Sequence, residues 1–390
     1  MIVELFIYLF LFVFVCVPNC FLSAQILLGL YFSDNYKFLK SRSNCIILIP
    51  AHNEEVIIGS TLEKLLPHLI SGDRVIVVAD NCDDATAEIS RSFNRVEVLQ
   101  RTSSTSRGKG FALDYGMQYI SKKPAETIVI FDADCEFEHG SLDLLVKCSQ
   151  YYNRIVQSRY LMKAPPASSI SARVSEFAWL IKNQLRPLGR QKMGIGCQLQ
   201  GSGMAFPWEL LSDVSLASSC IVEDLELGLT LSEKGEFVLF EYNSIVKSEF
   251  PSSECTLESQ RTRWEHGHIA LIFELIPRFI EAVFNRRLKS ALMMLDAMIP
   301  PTVFWLLFNT LLFLFSAALV IFDVYGLLYL VSISYAILLL SLILAWFKEG
   351  RDKFSINEFF GALLYVVNKF NIYKRIFCSR DKKWVKTKRD

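Results

Sequence analysis

The chain has 390 residues, 52% of them hydrophobic, and a formal net charge of +1. At that length core size is not limiting, and the balanced charge excludes a nucleic-acid binder that works by global electrostatics. Ten cysteines are scattered with no CxxC pair and no matching histidine spacing, so they read as reduced thiols rather than as a disulfide framework.

The hydrophobic residues are unevenly spread. They concentrate in residues 1–33 and again from about 291 to 347, leaving a middle of ordinary soluble composition. Residues 2–32 form an apolar run broken only by Glu4, Pro18-Asn19 and Gln25, longer than the roughly 20 residues that span a bilayer. No Lys or Arg precedes Lys37, as the start of a signal peptide would require, so an uncleaved transmembrane anchor is expected.

From Asn44 short β-branched runs alternate with amphipathic ones. Strands are predicted at Cys45–Pro50, Arg74–Ala79, Arg95–Leu99 and Thr127–Phe131, with helices at Glu54–Leu69, near Ala85–Phe93 and at Gly110–Ile120. This alternation predicts a parallel α/β sheet, whose ligands bind beyond the carboxyl ends of the strands. Those ends are acidic here. The first delivers Pro50-Ala51-His52-Asn53-Glu54, the second Asp80-Asn81-Cys82-Asp83-Asp84, the fourth Asp132-Ala133-Asp134. Asp83 or Asp84 can cap the next helix, but acidic groups at three ends of one sheet converge on one rim.

A dinucleotide fingerprint is absent. Gly108-Lys109-Gly110 has Leu113 at the third glycine position, and Gly201-Ser202-Gly203 has Phe206. A P-loop fails because Gly110 stands where Ser or Thr must follow Gly-Lys. Asp132-x-Asp134 offers two hard oxygen ligands suited to Mg²⁺ or Mn²⁺ bridging phosphate oxygens, not to zinc. Arg107 and Lys109 at a helix mouth read as a phosphate site or as an ordinary basic loop. Glu223-Asp224 precedes a helical pattern, where a carboxylate can deprotonate an acceptor hydroxyl or simply favour the helix N-terminus. Gln260, Arg263 and Trp264 share one helical face, Arg263 suited to phosphate and Trp264 to a sugar. His266 and His268, two apart, are off one face and are rejected as a metal pair.

Two further runs, 302–322 and 326–347, predict a transmembrane hairpin across the Phe322-Asp323-Val324-Tyr325 link. Basic clusters lie at Lys37/Lys40/Arg42, Arg286/Arg287/Lys289, Lys348/Arg351/Lys353 and Lys382–Arg389. With three spans all four fall on one side, which predicts a cytoplasmic middle domain and C-terminus. The stretches 268–289 and 354–378 read as helices lying on the membrane surface.

In this order, Ile49-Pro-Ala-His-Asn-Glu54, Val78-Ala-Asp-Asn81, Arg107-Gly-Lys-Gly110, Asp132-Ala-Asp134, Gly201-Ser-Gly203, Val222-Glu-Asp224 and Gln260-x-x-Arg263-Trp264 resemble the membrane branch of glycosyltransferase family 2. That branch includes cellulose, hyaluronan and poly-N-acetylglucosamine synthases. The resemblance covers about residues 44–270 and implies a GT-A, Rossmann-like fold and single-step inversion at the anomeric carbon. It implies Asp80 on the nucleotide base, usually uracil, with Pro50, Ala51, Asn53, Glu54, Arg107 and Lys109 around the donor. Asp132 would sit near ribose and metal, Asp134 on the metal, and Asp224 would be the base. Glu223, Gln260, Arg263 and Trp264 would meet diphosphate or acceptor, and Gly201, Ser202 and Gly203 would allow its close approach.

Val222 stands where the synthases commonly carry Thr, and three spans are fewer than channel-forming synthases have. This points to single-sugar addition or to a separate exporter among polysaccharide assembly proteins. The expected organisation is an anchor at 1–33, the transferase domain at 34–267, interfacial helices at 268–300, a hairpin at 301–347 and an interfacial helix with a basic tail at 348–390. The expected partners are a UDP-sugar, a carbohydrate or lipid-linked acceptor, and membrane lipid. Competing expectations are a ceramide-type glycolipid glucosyltransferase and a non-catalytic nucleotide- or polymer-binding subunit.

Overall fold

The first four predicted strands form where the sequence put them: β1 (Cys45–Ala51), β2 (Arg74–Asp80), β3 (Val96–Arg101) and β4 (Thr127–Ile130). The computed structural model describes residues 2–31, 41–166, 168–251, 253–322, 324–356 and 358. Cys45 to Ile49 and Val75 to Ala79 are all buried, as expected for strands covered on both faces. The sheet continues with β5 (Glu136–Phe137), β6 (Val156–Lys163), β7 (Met204–Pro207) and β8 (Leu239–Glu249), in the order β3-β2-β1-β4-β7-β6-β8-β5. β1 to β4 are parallel, while β7 is antiparallel to both β4 and β6. The sheet is therefore mixed: its β1–β4 part is the part legible in the alternation, and a second parallel pair, β6 with β8, lies beyond it.

From β1 the strands are added outward through β2 and β3 on one side and then β4 on the other, and this switch opens a crevice beyond the carboxyl ends of β1 and β4. The Lys109–Ile120 helix covers the sheet so closely that a Cβ on Gly116 would lie 2.5 Å from Leu48 Cδ1. The predicted Glu54–Leu69 helix is shorter, Ile58–Leu65. Its first residues form a turn instead, in which Thr86 Oγ1 accepts from the Glu54 amide (2.8 Å), and Pro67 ends it in a 3₁₀ turn, Leu66–His68.

Two compact units make up the chain: Ser33–Lys163 with Ile195–Glu249, which holds the sheet, and Met1–Phe32 with Ala164–Gly194 and Phe250–Asp390. The second contains three helices long and apolar enough to cross a membrane, Glu4–Gly29, Thr302–Phe322 and Gly326–Gly350. A buried polar network ties these three together. Asn19 Nδ2 donates to Asn309 Oδ1 (2.7 Å) and Ser334 Oγ (3.3 Å), and Trp305 Nε1 donates to Asn19 Oδ1 (2.7 Å). In hydrocarbon an unmatched amide is costly, so this network fixes how the spans pair. The segment Ile170–Lys192 packs on the first span, where a Cβ on Gly189 would overlap the carbonyl of Gln25. Arg186 and Arg190 of that segment both bind Asp296.

The basic cluster after the first apolar run loses one member. Arg42, counted with the basic cluster after the first span, is buried in a two-pronged pair with Asp73 (2.9 and 2.7 Å) and also donates to Asp143 (2.8 Å). It braces the start of β1 and is no free surface charge. Lys37, Lys40, Lys382–Arg389 and nearly all of the predicted 354–378 helix lie outside the described residues.

Candidate active site

The Asp132-Ala133-Asp134 loop is fixed from three sides. The Asp132 amide donates to Ser202 Oγ (3.0 Å), the Ala133 carbonyl accepts from Thr61 Oγ1 (2.7 Å), and the Phe131 amide donates to the Leu48 carbonyl (3.1 Å). With Ala133 buried, Asp132 and Asp134 are left partly open beside the crevice.

Lys109, the first residue of its helix, reaches across to these carboxylates. Its Nζ lies 2.6 Å from Asp132 Oδ1 and 3.8 Å from Glu223 Oε1, and donates to the Gly201 carbonyl (2.8 Å). Asp224 arrives from the first turn of the Glu223–Glu233 helix. A Cβ built on Gly201 would lie 3.5 Å from Asp224 Oδ2, 3.6 Å from Lys109 Nζ and 3.8 Å from Asp132 Oδ2. Three distant pieces of sequence thus meet around one glycine. The cavity of about 170 Å³ beside them is lined by Lys109, Glu223 and Asp224 together with Leu113, Val214 and Leu216.

The charges shift one another. Burial raises the Glu223 carboxyl to about 7, aided by Asp224 and Asp132 and opposed by Lys109. Burial also raises Asp132, against the pull of Lys109. Burial works against the Lys109 ammonium, but Asp132 and Glu223 more than offset it and hold its pKa above the ordinary lysine range.

The two remaining strand-end loops are braced to each other. Asn53, with φ of 54°, donates to Asp83 and accepts from the Asp83 amide (2.9 Å). Asp84, rather than Asp83, takes the amide at the start of the next helix, from Thr86 (3.0 Å). Asp80 is buried and its Oδ1 lies 2.5 Å from Arg101 Nη1. Arg101 was not singled out in the sequence. It is the last residue of β3, and the acidic end of the neighbouring strand is the signal that points to it. Arg107 is exposed.

The glycine motif divides its labour. Ser202 is fully buried and holds the Asp132 loop. A Cβ on Gly203, at φ +65°, would meet Val246 Cγ2 at 2.6 Å and Ser158 Cβ at 3.0 Å, so Gly203 serves packing of the sheet. Gly201, at φ +92°, faces the charged groups instead. Gly203→Ala is therefore expected to cost about 2–4 kcal/mol, from a left-handed backbone and an overpacked contact. Gly201→Ala should cost only about 1–2 kcal/mol of backbone strain yet remove more activity per folded molecule. Thermal unfolding and rate measurements on both variants check this ordering.

Gln260, Arg263 and Trp264 lie on the 31-residue Glu254–Phe284 helix of the membrane-helix unit. Gln260 is buried, and its Oε1 has no hydrogen-bond partner among the described residues. Trp264 is half-buried, with its ring 5.4 Å from that of Trp179. His268 Nε2 is hydrogen-bonded to the Ala297 carbonyl (2.7 Å), and burial with nearby Lys182 lowers its pKa to about 4. It is a neutral donor.

The acidic loop suits a hard divalent cation. The ligand atoms of Asp132, Asp134 and Cys135 lie within 4.8 Å of one another. Burial holds the Cys135 thiol well above its usual range, and Asp134 and Asp132 add to that. The thiol stays protonated, which leaves two carboxylates as the donor set.

A family model described as "Glycosyltransferase like family 2" matches residues 43–267. The chain belongs to this family. It is 25% identical over 254 residues to a probable glycosyltransferase, YdaM, of Bacillus subtilis, covering 62% of this chain and 59% of that protein. It is 26% identical over 237 residues to the beta-monoglucosyldiacylglycerol synthase of a Nostoc species, covering 57% of this chain and 48% of that one. The chain thus spans about half to three fifths of the length of these relatives. Mannosyltransferase PcManGT from Pyrobaculum calidifontis, solved with GDP-Man and Mn²⁺, aligns with a TM-score of 0.55 at 15% identity, over 85% of this chain and 95% of that one. That likeness establishes the GT-A fold.

Proposed function

We propose that the protein transfers a sugar from a UDP-sugar to the hydroxyl of a carbohydrate or lipid-linked acceptor, with inversion, in the synthesis of a surface or extracellular polysaccharide. The convergence of Asp224, Lys109 and Asp132 on Gly201 carries this reading. Asp224 accepts the acceptor's hydroxyl proton while the new bond forms at the anomeric carbon. The bond from that carbon to the diphosphate breaks, and the nucleoside diphosphate leaves with the electron pair. Lys109 puts fixed positive charge beside the departing group. Asp80, held by Arg101, receives the base, and Gln260, Arg263 and Trp264 serve diphosphate and acceptor. Asp134 and Asp132 are the residues that would hold Mg²⁺ or Mn²⁺, which supplies Lewis-acid charge at the diphosphate. Exposed Arg286, Arg287, Lys289 and Arg351 near the span ends support a cytoplasmic catalytic unit.

The decisive experiment supplies membranes containing the protein with a panel of UDP- and GDP-sugars and Mn²⁺ or Mg²⁺. UDP release with one UDP-sugar, together with a new glycosylated product by mass analysis, is expected. Turnover restricted to GDP-sugars would overturn the donor assignment. A glycolipid product is the second reading, favoured by the likeness to diacylglycerol glucosyl-lipid synthases. Labelled product that partitions into chloroform supports it, and water-soluble product opposes it.

A further inference from the structure

The cavity beside the charged cluster has two kinds of lining. Lys109, Glu223 and Asp224 are partly exposed, while Leu113, Ile130 and Met204 are buried. Leu113 follows Lys109 by one helical turn, and Ile130 and Met204 are partners across β4 and β7. The cavity thus leads from the charged groups down to the sheet. Its remaining wall, residues 214–218, is held from two sides. A Cβ on Gly110 would lie 2.6 Å from the Leu216 carbonyl oxygen, so this wall lies directly on the first turn of the Lys109–Ile120 helix. The Leu216 amide donates to Asp114 Oδ1 (3.3 Å) on that helix, and Ser218 Oγ donates to Glu226 Oε2 (3.0 Å) on the Glu223–Glu233 helix. The space is built between two helices and is not left by a loose loop.

Size narrows the occupant. At about 170 Å³ the cavity is smaller than the roughly 300–1,000 Å³ of pockets that enclose a whole ligand, and close to the about 150 Å³ that admits a benzene ring. It takes a substituent, not a nucleotide or a lipid chain. Position then says which substituent. On the proposed mechanism the anomeric carbon lies between Asp224, on the acceptor side, and Lys109, on the side of the departing diphosphate. Both line the cavity. The anomeric carbon has two ring neighbours, the ring oxygen, which carries nothing further, and C2. A 2-hydroxyl would set a small polar group against Leu113, Val214 and Leu216. A 2-acetamido group would put its methyl there and keep its amide N–H at the charged end, where Glu223 can accept it.

We infer that this cavity seats the 2-acetamido group of the donor sugar, which makes the donor a UDP-N-acetylhexosamine. The inference rests on the proposed transfer from a UDP-sugar and names the class of that sugar. The test supplies membranes containing the full chain with UDP-N-acetylglucosamine, UDP-N-acetylgalactosamine, UDP-glucose, UDP-galactose or GDP-mannose, each with Mn²⁺. One N-acetylated donor should exceed its 2-hydroxyl counterpart by about 10- to 200-fold in kcat/KM, the discrimination that a single apolar group gives in a fitted pocket. Val214→Phe and, separately, Leu113→Phe fill the cavity, and each should collapse that ratio toward one. The ratio compares two donors on one preparation, so partial loss of folded protein leaves it unchanged. A preference for UDP-glucose or UDP-galactose would overturn the acetamido assignment and leave the UDP-sugar reading standing. An N-acetyl preference that survives both substitutions would overturn the cavity as its seat. Turnover confined to GDP-mannose would overturn this inference together with the reading beneath it.

Discussion

Asp224→Asn is expected to reduce turnover about 10²- to 10⁴-fold, the range a positioned general base contributes. Asn keeps the size of the side chain and its place in the first helical turn, but it cannot accept a proton. The loss should therefore appear in kcat, with donor affinity close to that of the parent. Glu223, adjacent and with its pKa raised to about 7, is the neighbour able to take over the role. Turnover and nucleotide binding measured on Asp224→Asn and Glu223→Gln separate the two. Full activity in the first and loss in the second would move the base to Glu223.

The β1–β4 half of the sheet and the acidic strand ends were legible because each depends on local pattern. A continuous apolar run followed by Asp or Asn marks a buried strand and its rim without knowledge of its neighbours. β5 to β8 were not legible in this way. β5 has only two residues, and the pairing of β7 with β4 joins residues about 75 positions apart, which no short window contains. The same limit separated Gly201 from Gly203. The two share a motif and a positive φ, but one lies against Val246 and the other beside Asp224 and Lys109, and those neighbours exist only in the folded chain. Arg42 shows the reverse error. Its sequence neighbourhood read as a surface basic cluster, while its partner, Asp73, lies 31 residues on.

Lys109→Met is the second substitution expected to act strongly, and its effect on stability should depend on pH. The ammonium lies among Asp132, Glu223 and Asp224, and on the proposed mechanism removing it withdraws charge from the departing diphosphate. A loss of about 10²- to 10³-fold in turnover is the usual result of deleting one such stabilising group. Stability should fall as well, because the lysine and Asp132 side chains are each 24% exposed and Glu223 is 17% exposed. Leaving these carboxylates unmatched should cost about 2 kcal/mol at pH 8, below the full cost of breaking a fully buried pair. Burial raises the Glu223 pKa from 4.5 to about 7 even with the lysine present, and raises Asp132 too. A carboxylate raised on folding stabilises the folded state below its unfolded pKa and loses that contribution as pH climbs through the folded value. Without Lys109 both values move higher, so the variant's deficit should be small near pH 5 and widen toward pH 8. Thermal unfolding of parent and variant in detergent with a chelator, across that interval, measures it. A deficit that stays constant with pH would mean that Lys109 stabilises the fold through packing of its stem, not through its charge.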